Sequence, residues 1–185
     1  AEGWAVGAYG MIYHTTNAGT DWQLAADRLD NPDRYHLYGL AQDGAGNLFL
    51  SGEAGLLYHS HDGGATWVRN ADVYIGSLFG LTVRDGSVYT FGLRGNIFRS
   101  DDAGVSWSAI TNPTQFSLYG GNTLKDGRIL LVGAGGGVLE LGEADELSTS
   151  IQSSRATLSG LTEDRNGRTV LVGMDGLEFE ESDSE

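Results

Sequence analysis

The sequence predicts an all-β protein, a β-propeller of four-stranded antiparallel blades with about 40 residues per blade. A Gly-x-x-Gly pair recurs five times, with steps of 45, 40, 41 and 40 residues between its first glycines. A tryptophan-ending turn motif follows three of these pairs. Such a period is typical of small stacked sheets and not of one ordinary core. The pairs begin at Gly7, Gly52, Gly92, Gly133 and Gly173.

Each repeat is predicted to contain four short strands. In the third repeat these are Ser77–Val83, Ser87–Gly92, Asn96–Arg99 and a strand that begins at Ser106. Four repeats carry Asp-Gly or Asn-Gly after the first strand, which supplies the positive φ of a tight hairpin. No stretch shows sustained helical periodicity, and we interpret the helix-like piece Leu24–Leu29 as a loop insertion.

The chain opens in the second strand of one blade and ends near the third strand of another, so we count three whole and two partial blades. Two alternatives stay open: a five-unit ring with ragged edges, or part of a longer, seven-bladed ring, which we favour. We predict a propeller over residues 1–177 and an acidic tail over residues 178–185.

Composition narrows the function classes. The formal net charge of −14 disfavours nucleic-acid and anionic membrane partners. No apolar run approaches the roughly 20 residues of a membrane-spanning helix, so we expect no direct membrane insertion. Cysteine is absent.

His59 and His61 lack a carboxylate at fixed spacing, so we predict no metal site. The repeat position of His59 is held elsewhere by Arg99 and Glu140, so we expect it to be exposed. No glycine-rich loop precedes a helix, and no cofactor is predicted.

The turn motif Ser-x-Asp-x-Gly-x-Thr/Ser-Trp is the Asp-box of bacterial neuraminidase repeats. Residues 60–67 and 100–107 match it fully, whereas residues 15–22 have Asn17 for the Asp and Asp21 for the Thr/Ser. We expect a structural role, in which the short acidic side chain accepts backbone hydrogen bonds and the tryptophan is largely buried. The predicted structural residues are Asn17, Gly19, Trp22, Asp62, Gly64, Trp67, Asp102, Gly104 and Trp107.

The segment from Trp4 to Trp22, with its Gly-x-x-Gly pair and Asp-box, resembles the photosystem II assembly and stability factor family and its non-photosynthetic bacterial relatives. The resemblance covers nearly the whole chain. It implies a seven-bladed propeller that is exported to the thylakoid lumen or periplasm and acts as an assembly or interaction factor. We therefore expect a non-catalytic, exported scaffold that binds a protein partner, which the resemblance places in a membrane complex.

The alternative is a carbohydrate-binding or glycoside-hydrolase propeller, because similar boxes occur in sialidases and xyloglucan-degrading hydrolases. A sialidase would need three converging arginines, and none of the ten arginines here has that local context. An inverting hydrolase needs two carboxylates about 6.5–9.5 Å apart, which the sequence alone cannot place. We assign no catalytic residue, favour a protein without enzymatic activity, and keep a glycan as the alternative ligand.

The connection between the first and second repeats, over residues 27–35, differs most from the other connections because it lengthens the repeat by about five residues. We call it the first connection. Insertions of this kind tend to carry binding specificity. Arg94, inside a Gly-x-x-Gly turn, is the best single candidate for a ligand contact. Tyr38, Phe79 and Tyr119 recur before the first-strand glycines, and we predict that they are wedges between blades and not a ligand cage. The candidate partner-binding residues are Arg28, Asp30, Asp33, Arg34, Tyr35 and Arg94.

Overall fold

The computed structural model describes residues 1–142 and 144–180. Within these residues, eighteen strands form five antiparallel sheets, and the helical elements are single 3-10 turns of three residues. Three sheets have four strands, whereas the first and the fifth have three. The predicted all-β fold of consecutive four-stranded antiparallel units is confirmed.

The strands follow the chain order within every sheet. The first sheet contains β1 (Gly3–Val6), β2 (Ile12–Thr15) and β3 (Gln23–Leu24). The second contains β4 (Leu37–Gln42), β5 (Leu48–Gly52), β6 (Leu57–Ser60) and β7 (Val68–Arg69). The third contains β8 (Leu78–Arg84), β9 (Ser87–Gly92), β10 (Ile97–Ser100) and β11 (Ser108–Ile110). The fourth contains β12 (Leu118–Thr123), β13 (Ile129–Gly133), β14 (Gly137–Leu141) and β15 (Leu147–Ile151). The fifth contains β16 (Leu158–Glu163), β17 (Thr169–Gly173) and β18 (Gly176–Phe179).

Predicted strand boundaries in the third sheet shift by one or two residues, and the start of the predicted tail also differs. The fourth strand of the third sheet begins at Ser108, because Ser106 closes the Asp-box turn through its backbone N–H and its hydroxyl. The first two residues of the predicted acidic tail, Glu178 and Phe179, belong to β18 and pair with β17. Residues 181–185 of that tail lie outside the described residues.

The first strands of four sheets, β4, β8, β12 and β16, contact one another in sequence and form the inner side of the row of sheets. Glycine at these strands allows the backbones of neighbouring inner strands to approach each other closely. A Cβ atom at Gly120 would lie 2.7 Å from the Cα of Gly160, and one at Gly39 would lie 3.1 Å from the Cα of Gly80. A register shift precedes each of these glycines, for example between Leu37 and Gly39. The residue between them therefore bulges out of the strand pairing.

Apolar side chains fill the space between neighbouring sheets. Tyr58 and Leu50 of the second sheet are fully buried against Ile12 of the first. Likewise, Phe91 of the third sheet packs with Leu131 of the fourth. The core is thus divided into layers between sheets, so that each sheet relies on its neighbours for burial.

The Asp-box turns are closed by side-chain hydrogen bonds. In the second sheet, Asp62 accepts bonds from the Thr66 N–H (2.9 Å) and hydroxyl (2.6 Å), and Ser60 Oγ accepts one from the Gly64 N–H (2.8 Å). The first sheet keeps the same geometry with donor and acceptor exchanged. There Asn17 Nδ2 donates to Asp21 Oδ2 over 2.9 Å, so the two departures from the motif compensate each other.

The box tryptophans are less buried than predicted. Trp67 and Trp107 are half-buried, and each packs toward the preceding sheet, Trp67 against Trp4 with ring centroids 5.9 Å apart. Trp22 is 44% exposed, so the prediction of a largely buried side chain is wrong for it. Trp22 belongs to the first sheet and has no earlier sheet among the described residues to pack against.

The predicted exposure of the repeat position of His59 is wrong for His59 itself. His59 is only 6% exposed, and its Nδ1 donates to Asn70 Oδ1 over 3.0 Å. The Asn70 amide in turn donates to the carbonyl of Gly104 in the next Asp-box over 2.8 Å. His59 therefore lies at the contact between the second and third sheets, where a Cβ atom on Gly104 would be 3.0 Å from its own Cβ.

The fourth sheet, which lacks the box, uses an ion-pair cluster in its place. Asp145, between β14 and β15, accepts hydrogen bonds from Arg84 (2.9 Å) and Arg99 (2.6 Å) of the third sheet. The Tyr89 hydroxyl lies 2.8 Å from Arg84 and 3.1 Å from Asp145. Burial raises the pKa of Tyr89, partly offset by Arg84. We call Arg84, Tyr89, Arg99 and Asp145 the Asp145 cluster.

The Asp-boxes should make the fold acid-sensitive. Hydrogen bonds from Thr66 and Ser60 lower the pKa of Asp62 to about 2, and those from Ser106 and Ser100 lower that of Asp102 to about 2, both from an ordinary value of 3.8. Because both folded-state pKa values are depressed, the stabilisation is complete above the ordinary value and is lost as the pH falls through the folded-state value. We expect the urea midpoint to fall between about pH 4 and pH 2, and to fall less in the double variant Asp62→Asn/Asp102→Asn.

Candidate functional site

One end of the row of sheets combines the turns between second and third strands with the starts of the inner strands. In the second sheet, the Glu53 N–H donates to the carbonyl of His36, just before β4, over 2.8 Å. In the third and fourth sheets the equivalent bonds reach the residues before β8 and β12. Each turn also contacts the inner strand of the next sheet. We call this end of the sheets the axial face.

A continuous row of aromatic rings crosses the axial face. Tyr38, Phe79 and Tyr119 occupy the bulged positions at the starts of β4, β8 and β12, with ring centroids 5.4 and 5.3 Å apart. His36 lies 6.2 Å from Tyr38, and Tyr9 lies 5.1 Å from His36. We call these five residues the aromatic row.

The aromatic row is open to solvent. Tyr9 is 68% exposed, Tyr38 42% and Tyr119 38%. The rings bridge neighbouring sheets, which agrees with a role as wedges, but they also keep a large solvent-accessible surface, which the wedge role alone does not predict. The bulge explains both features, since it turns these side chains out of the strand while the following glycines bring the inner strands together.

Two opposite charges flank the row. Arg94 is exposed, and its backbone N–H donates to Ser117 Oγ, just before β12, over 3.2 Å. Among the described residues, its guanidinium makes no ion pair or hydrogen bond. Glu53 accepts a bond from the His36 N–H over 3.0 Å. Burial and the charge of Glu53 raise the pKa of Tyr38. The axial face thus offers ring surfaces between the guanidinium of Arg94 and the carboxylate of Glu53.

The turns of the axial face hold non-glycine residues in a left-handed backbone conformation. Tyr9, Ala54 and Arg94 have φ values of 56°, 51° and 57°, at the position that Gly135 occupies with φ 66°. Non-glycine residues adopt this conformation rarely, and it tends to persist where the surroundings impose it. The turn geometry is therefore retained in the first four sheets, whereas the side chain at this position differs.

Two predicted binding residues of the first connection, Arg28 and Asp30, make contacts within the protein. Arg28 lies over the Trp4 ring, 5.4 Å from its centroid, and donates to the carbonyl of Gly64 over 2.9 Å. Asp30 is exposed, but its carbonyl accepts the Tyr58 hydroxyl over 2.7 Å. These contacts attach the connection to the second sheet. Arg28 is exposed, and its guanidinium is engaged by contacts within the protein.

The remaining candidates lie further along the same connection. Tyr35 is half-buried against the core between the first two sheets and bonds to Asn31 through both its N–H and its carbonyl. Asp33 and Arg34 are exposed. Arg34 lines an open cleft of about 680 Å³ together with Tyr9, so the connection reaches the start of the aromatic row. No contact joins Arg94 to these residues within the described chain.

The grouping of ligand side chains bears on metal binding. Within residues 1–142 and 144–180, no three His, Asp or Glu side chains are grouped to hold a metal ion. The box carboxylates Asp62 and Asp102 are occupied by turn hydrogen bonds. In the described part of the chain, no helix has the length and apolar character needed to cross a membrane.

Comparisons with known proteins agree with this architecture. The chain resembles the solved structure "YCF48 bound to D1 peptide", with a TM-score of 0.77 and 21% identity over 99% of this chain and 60% of that one. It also resembles YCF48 from Cyanidioschyzon merolae, with a TM-score of 0.76 and 18% identity over all of this chain and 64% of that one. Virginiamycin B lyase from Staphylococcus aureus reaches a TM-score of 0.78 at 16% identity over all of this chain and 68% of that one. At these identities the structures share the fold alone, and they identify it as a β-propeller.

Comparison of sequences identifies the family, which the structural similarities alone do not. The Photosystem II assembly lipoprotein Ycf48 of Synechococcus sp. (strain CC9902) is 26% identical over 116 residues, which are 59% of this chain and 33% of that protein. The matched region thus spans about a third of that relative. The family described as photosynthesis system II assembly factor YCF48 matches residues 1–155. Since that match covers most of the chain, this protein belongs to the YCF48 photosystem II assembly factor family.

Proposed function

We propose that this chain is a non-catalytic scaffold that binds a segment of a protein partner on its axial face, and that the partner belongs to a membrane complex. The observation that carries the proposal is the exposed aromatic row beside Arg94, which is itself exposed. Aromatic side chains and arginine are the residues enriched in protein-binding sites. The axial face supplies both on rigid strand ends and turns.

Family membership supports the class of partner. One relative is named as bound to a D1 peptide, and another is named as a photosystem II assembly lipoprotein. By analogy we propose that this chain contacts an exposed segment of a membrane protein during its assembly. We also place this chain in an exported compartment, periplasmic or equivalent to the thylakoid lumen.

Within the axial face we assign Arg94 to a carboxylate of the partner. Its guanidinium presents several donors in a fixed plane, which suits a bidentate contact with a carboxylate. Asp33 and Arg34 extend the proposed surface at the other end of the row, next to Tyr9. Arg28, Asp30 and Tyr35 would act indirectly, by holding the first connection in place.

The test is a binding titration with peptides from exposed segments of membrane-complex subunits, D1 among them, using wild type and Arg94→Glu. We expect the variant to lose at least tenfold in affinity, since a like charge replaces the proposed partner of a carboxylate. Arg165→Glu is the matched control, because Arg165 is exposed on the β16–β17 hairpin at the other end of its sheet. Equal losses in both variants, or none in Arg94→Glu, would contradict the assignment.

A further inference from the structure

We infer that His36 is a pH-sensitive latch on the axial face. In its neutral form the imidazole holds the turn that carries Tyr9, the outermost ring of the aromatic row, and protonation releases Tyr9. The latch follows from contacts within the protein, whereas its effect on a partner rests on the proposed function. Its starting point is the hydrogen bond that the backbone N–H of Tyr9 donates to His36 Nδ1 over 3.3 Å.

This hydrogen bond requires a neutral imidazole. A ring nitrogen that accepts a hydrogen bond carries no proton, so the single ring proton of neutral His36 is on Nε2. In the protonated ring both nitrogens are donors. The Nδ1–H of His36 would then point at the N–H of Tyr9, and two donors cannot bond to each other. Protonation therefore removes the contact between the Tyr9 turn and the residue that precedes β4.

The other sheets use side chains that do not titrate at this position. The residues directly before β8, β12 and β16 all carry a hydroxyl group: Ser77, Ser117 and Thr157. Before β12 the same bond is present, because the backbone N–H of Arg94, the counterpart of Tyr9, donates to Ser117 Oγ over 3.2 Å. A hydroxyl accepts such a bond whatever the pH, whereas histidine changes its charge between about pH 5 and pH 8. The pH dependence is thus specific to the contact between the first two sheets.

The charged and titratable groups around the imidazole hold the ring in place. Glu53 faces the other ring nitrogen, with 4.0 Å between its Oε2 and Nε2 of His36. Tyr38 of β4 is stacked with the imidazole at 6.2 Å and an angle of 10°. Arg34, in the first connection, lines the cleft beside Tyr9 and adds a positive charge there. Protonation strengthens the attraction to Glu53, so the ring stays beside β4 while Tyr9 loses its acceptor.

The release is confined to Tyr9. The turn itself is closed by the Gly7 N–H, which donates to the Met11 carbonyl over 2.9 Å, and is attached to β4 by the Leu37 N–H, which donates to the Gly7 carbonyl over 3.0 Å. Neither bond involves a group that titrates. Tyr9 has a φ of 56°, which a non-glycine residue keeps where its surroundings impose it. Losing one of its contacts should therefore make Tyr9 and its ring more mobile, and shorten the ordered part of the aromatic row in acid.

The experiment is an NMR titration of the protein alone between about pH 8 and pH 5, which follows the Tyr9 amide and the ring protons of His36. We expect both signals of the wild type to follow one titration curve. We also expect the exchange protection of the Tyr9 amide, relative to an unstructured peptide at the same pH, to fall about threefold to tenfold. The Gly7 amide should keep its protection. The Asp-box carboxylates do not interfere, because their pKa values of about 2 lie below this range.

The test variant is His36→Ser. Serine precedes β8 and β12, and Ser117 accepts the equivalent bond from Arg94, so the variant should fold and keep an acceptor for Tyr9. Its Tyr9 amide should no longer titrate. His61→Ser is the matched control, because His61 is an exposed histidine whose ring bonds to the carbonyl of Ala103 in the third sheet over 2.9 Å. In this control the Tyr9 amide should titrate as in wild type. A thermal unfolding curve shows that each variant is folded.

Two outcomes of the titration would overturn the latch: a Tyr9 amide that does not titrate in wild type, or one that titrates equally in His36→Ser. Binding of a D1 peptide at both ends of the pH range then tests its effect on a partner. We expect affinity about threefold weaker or more at the lower pH in wild type, and no such difference in His36→Ser. Equal affinities in wild type would contradict a role of the latch in binding. If no peptide binds at either pH, the proposed function fails, and the Tyr9 signal alone decides the latch.

Discussion

Replacing Asp145 with asparagine is expected to lower the free energy of unfolding by about 3 kcal/mol. The carboxylate is 17% exposed and pairs with Arg84, which is 8% exposed, and with Arg99. Its removal leaves two guanidinium groups without their common anion at the boundary between the third and fourth sheets. Asparagine keeps the side-chain size and tolerates the left-handed backbone of this position, φ 59°, so the loss reports the charge. Urea unfolding monitored by tryptophan fluorescence measures it.

The matched control is Asp126→Asn. Asp126 pairs with Arg128 over 2.8 Å, but the two side chains are 53% and 42% exposed. Exposed pairs contribute about 0–1 kcal/mol, so this variant should unfold almost as wild type does. Similar losses in the two variants would contradict the role assigned to the Asp145 cluster.

Replacing Gly133 with alanine is expected to destabilise the protein by about 3 kcal/mol or to prevent folding. The backbone at Gly133 is extended, with φ −168°, so conformation is not the reason for glycine. A Cβ atom there would overlap the carbonyl oxygen of Ser117, which accepts the N–H of Ala134 over 3.0 Å. The first glycine of the repeated pair is thus required for close approach between the turn and the inner strand. The thermal midpoint of unfolding measures the loss.

Gly135→Ala is its comparison variant, two residues along the same turn. Nothing lies within 4 Å of a Cβ atom at this position, and its φ is 66°. The equivalent positions already hold Ala54 and Arg94 in the left-handed conformation. We expect a cost of about 1 kcal/mol. A larger loss at Gly135 than at Gly133 would show that backbone conformation, and not space, selects glycine in this turn.

Much of the fold could be predicted from the sequence because its turns are formed by short local motifs. A Gly-x-x-Gly pair, an Asp-Gly hairpin and an Asp-box each determine a turn through residues that are neighbours in the chain. The Asp145 cluster has no such signal. It replaces a missing box by contacts between Asp145 and Arg84, 61 positions apart, and only the packing of the third sheet on the fourth brings them together.

The candidate site was predicted in part. The place of Arg94 in a turn makes it a candidate for a ligand contact, and among the described residues its guanidinium makes no ion pair or hydrogen bond. Arg28 was chosen because it lies in an insertion, but the sequence does not reveal that Trp4 and the Gly64 carbonyl engage it. The recurring aromatic residues were recognised as a pattern. Their exposure depends on the register shift before Gly39, Gly80 and Gly120, which a residue pattern alone does not encode.

The most direct test of a protein-binding axial face is photo-crosslinking in the native membrane system. The photoreactive residue p-benzoylphenylalanine replaces Phe79, a conservative change in the centre of the aromatic row, or Val68 on the exposed outer strand as the control. We expect irradiation to link the protein through position 79 to a segment of a membrane-complex subunit, identified by mass spectrometry, with no such product from position 68. Crosslinks from position 68 and none from position 79 would contradict the axial face as the binding surface.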